Sequence, residues 1–219
     1  MVPIDNGEGR EGRVFKYENL AVKIFKYPVY QHQEDGYDFL MNLKANRFVL
    51  IKDKFYEQNM MQGFIMDYIE NKKSRFEHVN MTTLLSDLTL IKKDLLMFKE
   101  NKVWLTDVHM GNIMFNGNLY IIDTNSYLPL DVYTELNDDT CTEEQMKNII
   151  YQDNLYMINE GLLKFLSAHL NLREFTIQEQ HSIYDNIINS VGDNYIGDFL
   201  KEDAKGCSTW QAYAKKKLS

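Results

Sequence analysis

The chain of 219 residues is 44% hydrophobic and 13% aromatic, enough to bury a core in one two-lobed domain or in two small ones. A formal net charge of −8 leaves no basic surplus to neutralise phosphates, which argues against a nucleic-acid partner. Cys141 and Cys207 form no CxxC pair, residues 1–6 hold no basic-then-apolar leader, and no apolar run approaches membrane-spanning length. A disulfide framework, a structural zinc site and a membrane partner are therefore disfavoured, and the cytoplasm is the expected compartment.

Glycines come first, as Gly7-Glu-Gly9-Arg-Glu-Gly12-Arg-Val14. In this G-x-G-x-x-G-x-V spacing backbone amides can approach phosphate, and Val14 opens a strand where a dinucleotide fingerprint would open a helix. Residues 14–17 and 20–25 read as a hairpin turning at Glu18-Asn19. Ala21 and Lys23 share one face of its second strand, opposite Val22 and Ile24, so the ammonium is expected under the glycine segment as a candidate phosphate ligand. Taken singly, each feature also fits a glycine-rich turn and a solvated strand lysine.

Residues 30–44 fit an amphipathic helix with Phe39, Leu40 and Leu43 on one side, weakened by Gly36. Residues 48–56 and 62–68 read as strands, and the polar stretch 70–75 marks a boundary between 1–70 and 71–219. Residues 81–99 repeat Leu84, Leu88, Ile91 and Leu95 at helical spacing, with Ser86-Asp87 as a candidate cap for the main part.

Next comes Asp107-Val-His109-Met-Gly-Asn112, then Ile121-Ile-Asp123. Residues 103–105 and 119–122 read as short strands, with a turn at Phe115-Asn-Gly-Asn118. The Asp107 carboxylate can accept the proton of an attacking hydroxyl. Asn112 and Asp123 supply the hard oxygen atoms that Mg²⁺ prefers. An isolated D-x-x-x-x-N match equally describes an Asp and an Asn closing turns.

In this order the parts resemble the protein-kinase-like superfamily, as a compact, atypical member matched over roughly the first three quarters of the chain. The resemblance implies an α+β, two-lobed fold. Residues 1–70 would form a small antiparallel-sheet N-lobe with one helix, and 71–219 a reduced, mainly helical C-lobe. ATP and Mg²⁺ are the implied cofactors. Gly7, Gly9 and Gly12 would cover the phosphates, beside Val14 and Ala21, and Lys23 would hold the α and β phosphates. Ile65-Met66-Asp67-Tyr68-Ile69 resembles the adenine-binding hinge, with Met66 lining the back of the pocket. Asp107 would be the base, His109 a group near the transferring phosphate, and Asn112 and Asp123 the metal ligands. Asp153 resembles the aspartate that supports the catalytic-loop backbone, and Glu34, with Asp35 second, is the expected partner of Lys23.

The departures matter as much. Leu105-Thr106 replaces the His-Arg that usually precedes the catalytic Asp, so control through a phosphorylated activation loop is not expected. The D-x-H-x-G-N loop is closer to aminoglycoside and choline kinase relatives, no A-P-E follows Asp123, and Pro129 is the last proline. The acceptor readings are a hydroxyl of protein Ser/Thr, then a small alcohol held by Asp138, Asp139, Glu143 and Glu144. A non-catalytic nucleotide-binding module acting through a partner protein is the further alternative.

Residues 146–170 and 177–191 have helical apolar spacing, separated from the tail by a loop at Gly192-Asp-Asn194. The tail carries Trp210, Tyr213 and Lys215, Lys216 and Lys217, read as the charged end of a last helix.

Overall fold

The computed structural model describes residues 1–8, 11–72, 76, 79–133, 140–170 and 174–218, with the backbone alone at 5–8. Gly9, part of the stretch 70–75, and Asp138 and Asp139 therefore lie outside the described residues. Among the described residues the fold is α+β: an antiparallel five-stranded sheet, two short two-stranded ribbons and six α-helices.

In the sheet, β1 (Val2–Glu8), β2 (Gly12–Tyr17), β3 (Leu20–Phe25), β4 (Ile51–Glu57) and β5 (Met60–Asp67) lie in the order β1-β2-β3-β5-β4. The β2–β3 hairpin pairs Tyr17 with Leu20 and Val14 with Lys23 across the expected turn, where Glu18 takes φ 54°. Residues Gln58 and Asn59, both at positive φ, turn β4 into β5 in the left-handed conformation tight hairpins need. Gly12 is required by close approach: a Cβ there would lie 2.3 Å from the Ile24 carbonyl oxygen. Strand β1 has no counterpart in the sequence reading, because Pro3, Asp5, Asn6 and Gly7 are poor strand formers. Its place at the sheet edge tolerates the proline.

Helix α1 (Gln31–Met41) is shorter than 30–44 at both ends. Tyr30 N–H donates to Gln33 Oε1 at its start, and Asn42 Nδ2 donates to the Asp38 carbonyl at its end. The strand expected from residue 48 begins only at Ile51. The preceding residues are drawn elsewhere: Asn46 and Arg47 N–H donate to Asp94, Val49 N–H to Ile121 O, and Ile121 N–H to Arg47 O.

Asp94 stands on α2 (Met81–Glu100), whose Leu84, Leu88, Ile91, Leu95 and Phe98 are fully buried. Its cap is Asn80, whose side chain accepts Thr82 N–H at 2.7 Å. Ser86-Asp87 is no cap, because Asp87 is buried and bonded to Arg47 and Leu119 N–H. After α2 come β6 (Val103–Trp104), β7 (Ile113–Phe115), β8 (Leu119–Ile121) and β9 (Leu128–Pro129), with β6 pairing β9 and β7 pairing β8.

Helix α3 (Glu143–Ala168) opens on a Thr142/Gln145 capping box, and α4 (Ile177–Val191) on the same device at Thr176/Glu179. Two further helices follow, α5 (Ile196–Asp203), absent from the sequence reading, and α6 (Trp210–Leu218). Trp210 and Tyr213 are buried with α2, α3 and α4 in the larger apolar cluster. Lys217 pairs with Asp203 of α5 and Lys215 with Glu174 of the connection between α3 and α4, so the basic tail is tied to the C-terminal part of the chain itself. A smaller cluster gathers around Ala21, Tyr37, Val49, Ile51, Phe64 and Met66. Among the described residues no helix is long and apolar enough to cross a membrane.

Candidate active site

The loop that carries Asp107 is hung from α3. Buried Asn154 accepts Leu105 N–H at 2.8 Å and donates to the Val103 carbonyl at 2.9 Å, so one side chain satisfies both a donor and an acceptor on one edge of the entering strand. This task had been expected of Asp153. Asn154 shares the inward face with Ile150 and Ile158, one helical turn either side, whereas Asp153 lines a groove toward α4. Thr106, standing where an arginine is usual, donates to the Ser126 carbonyl at 2.6 Å and ties the loop to the segment after Asp123.

Beyond Thr106 the loop is tightened by its own side chains. Asn112 Nδ2 donates to the Asp107 carbonyl at 2.9 Å, and Gly111 N–H donates to His109 Nδ1 at 3.0 Å. Accepting at Nδ1 places the proton of the neutral ring on Nε2, which stands 3.6 Å from Asp107 Oδ1. That separation is longer than a hydrogen bond. A Cβ on Gly111 would come within 2.7 Å of the His109 ring, so the glycine makes room for this turn. His109 therefore fixes the loop and faces Asp107.

The β7–β8 ribbon brings Asn112 and Asp123 together, since Ile113 pairs with Ile121 and Ile122 N–H donates to the Asn112 carbonyl at 2.8 Å. Six non-glycine described residues have positive φ; Glu18, Gln58, Asn59 and Lys102 sit in turns, and the other two are Asp107 (55°) and Asp123 (59°). Backbone strain outside turns is thus confined to the two candidate acids, a pattern typical of sites that over-determine their side chains.

Lys23 reaches this ribbon from β3. Its side chain is buried, and Nζ lies 2.8 Å from Asp123 Oδ1, 3.0 Å from Asn125 Oδ1 and 3.1 Å from Glu11 Oε2. The expected Glu34–Lys23 pair is not formed. Glu34 instead accepts from the Tyr56 hydroxyl and meets Lys54 Nζ at 3.0 Å, because its side of α1 faces β4. The Tyr56 hydrogen bond, opposed by burial and aided by Lys54, holds the Glu34 carboxyl below its ordinary range. Asp35 accepts from Gln31 within α1. Burial raises the Glu11 carboxyl, but the Lys23 charge and hydrogen bonds from Lys23 and Asn125 outweigh it and leave the group below its ordinary value.

Val14, Ala21, Met66 and Ile69 come together in the smaller apolar cluster with Tyr120 and Ile122 of the β8 region. Ala21 and Met66 are direct cross-strand partners. The result is an apolar wall on which a flat ring can stack. Along the expected hinge, the Asp67 carboxylate meets Lys52 at 2.6 Å and Tyr68 N–H donates to the Asn19 carbonyl. Ile69 N–H has no partner among the described residues, so it is the open donor of this stretch. Gly7 lies within β1, and Gly12 opens β2. Glu143 and Glu144 are first-turn residues of α3 that meet Lys147 and Lys99, while Asp138 and Asp139, expected beside them, lie outside the described residues.

For a metal, Asn112 Oδ1 and Asp123 Oδ2 have no partner among the described residues. Among the described residues no group of three His, Cys, Asp or Glu side chains could hold an ion alone. Two free hard oxygens fit Mg²⁺ completed by phosphate and water, and do not fit a self-sufficient metal cage. Glu11, Asn125 and Asn154 are the site residues that sequence reasoning missed. Glu11 and Asn125 lie inside the quoted Gly7–Gly12 and Asp123-Thr-Asn125 motifs, at positions read as spacers.

No family model matches this chain, and no curated protein matches it. A crystal structure of the yeast RNA Pol II CTD kinase CTDK-1 complex matches it with a TM-score of 0.45 and 18% identity, over 58% of this chain and 46% of that chain. The chain thus spans less than half of that protein's length.

Proposed function

We propose that the chain is an ATP- and Mg²⁺-dependent phosphotransferase with a two-lobed, protein-kinase-like architecture that moves the γ-phosphate to a hydroxyl acceptor. The observation that carries the reading is convergence: Lys23 and Asp123, 100 positions apart, meet at 2.8 Å, beside the ribbon that holds Asn112 against Asp107. In this reading Lys23 binds the nucleotide phosphates, and Ile69 N–H with the Val14, Ala21 and Met66 wall receives the adenine. Asn112 Oδ1 and Asp123 hold Mg²⁺, which when bound neutralises charge on the phosphates. Asp107, largely exposed, orients the acceptor hydroxyl and takes its proton. Strain at Asp107 keeps that carboxylate aimed, so rate comes mainly from positioning.

A second reading concerns the acceptor. A groove of about 500 Å³ between α3 and α4 is lined by Asp153, Glu160, Asp193, Tyr156 and Tyr184, and Gly161 of α3 packs on Val108. Carboxylates and phenol rings there favour a small cationic alcohol over a protein Ser/Thr hydroxyl.

The test incubates the chain with γ-labelled ATP and Mg²⁺ beside Asp107→Asn. Label that moves only with Asp107 intact supports phosphotransfer, and its destination in protein or in a small alcohol chooses the acceptor. Retained turnover in Asp107→Asn overturns the base assignment. A MgATP-dependent rise in melting temperature without label transfer supports a nucleotide-binding module instead.

A further inference from the structure

An ammonium has three hydrogen-bond donors, and those of Lys23 are matched by Glu11, Asp123 and Asn125. Asn125 Nδ2 also donates to Glu11 Oε2 at 3.1 Å, so Lys23, Glu11 and Asn125 close a triangle. Helix α1 adds no carboxylate to it. Facing the triangle, α1 presents Tyr37, packed against Phe25 and Phe64 and lining the same cavity as Asn125. Glu34, nearly one turn earlier, is committed to Lys54 and Tyr56. A cavity of about 450 Å³ lies between α1 and these groups, with Gln33 and Tyr37 on one side and Glu11 and Asn125 on the other.

We propose that Glu11, braced by Asn125, is the positioning carboxylate of Lys23, supplied by the glycine-rich segment in place of a helix residue. The inference rests on the phosphotransferase reading. Asp123 has a second task there, as metal ligand, so Glu11 and Asn125 are the partners left to hold Lys23 in place. The segment covering the phosphates and the lysine binding them then act as one unit. Displacing Glu11 withdraws the partner of Lys23, whereas a shift of α1 leaves the pair intact.

Two double-mutant cycles test this. In urea unfolding without nucleotide, Lys23→Met and Glu11→Gln are expected to be non-additive in midpoint, and Lys23→Met and Glu34→Gln additive. In MgATP binding by calorimetry, Glu11→Gln is expected to weaken affinity about tenfold or more, and to have no further effect on a Lys23→Met background. Coupling of Lys23 to Glu34 alone overturns the proposal. So does tighter MgATP binding by Glu11→Gln, which would make Glu11 a plug over the phosphate position. If the unaltered chain binds no MgATP, the phosphotransferase reading fails, and the unfolding cycle still decides which carboxylate holds Lys23.

Discussion

Four aspartates divide between two regions that treat the same side chain in opposite ways. On α2, Asp87 and Asp94 are 0% and 1% exposed, and their oxygens are filled: Asp87 by Arg47 and Leu119 N–H, Asp94 by Asn46 and Arg47 N–H and the Asn46 amide. Their backbones are ordinary helix. In the loops, the side chains of Asp107 and Asp123 are 61% and 37% exposed, their backbones lie in the left-handed region, and each leaves oxygen unbonded among the described residues. In the proposed reading, the difference separates structural from reactive carboxylates. A buried carboxylate must have its hydrogen bonds satisfied to be tolerated, whereas a reactive one keeps capacity free and takes its orientation from the chain.

The comparison predicts different losses. Asp107→Asn is expected to cost about 10²–10⁴-fold in turnover with the urea midpoint unchanged or raised, read by phosphate release beside chemical unfolding. Asp87→Ala reverses that pattern: it strands Arg47 and destabilises by about 3–5 kcal/mol, read in the same unfolding curves. If Asp87→Ala were neutral, the division between the regions would collapse. Thr106→Val removes one hydrogen bond between the loops and is expected to lower stability by about 1 kcal/mol.

The smallest effect is in acid. Glu11 titrates below its ordinary value of 4.5, so its stabilisation is present above that pH and is lost as pH falls through the folded value. Glu11→Gln should therefore lower the melting temperature slightly near neutrality, where the charged pair is lost, and flatten its further fall below about pH 4.5. An unchanged acid limb would show that the pair with Lys23 does not form in solution.

Legibility in the sequence followed locality. The β2–β3 hairpin and α4 were readable because apolar alternation and helical spacing act between near neighbours. Residues 48–50 were misread as strand because the chain there and just before it is held by Asp94 and Ile121, which lie far along the chain and override a strand-like composition. The same limit explains Glu34: spacing gives its angle around α1, but Lys54 on β4 competes for it, and no local pattern encodes that. Asp153 and Asn154 differ by a single step of helical register, which an acidic residue in a familiar position obscured. The proximity of Asp107, Asn112 and Asp123 was legible because the loop is short and is flanked by two strands that a tight turn pairs.

The sheet is pinned along one margin. Strand β4 is its last strand, and the chain entering β4 is laced to β8 by the Arg47, Val49 and Ile121 backbones and to Thr124 through the Val49 carbonyl. The opposite margin is β1, joined to its neighbour alone. A plate fixed on one side opens like a trapdoor. A turn about the β4 margin carries β2 farther than β5, and it must first part Glu11 from Asn125 and Lys23 from Asp123 across the cleft.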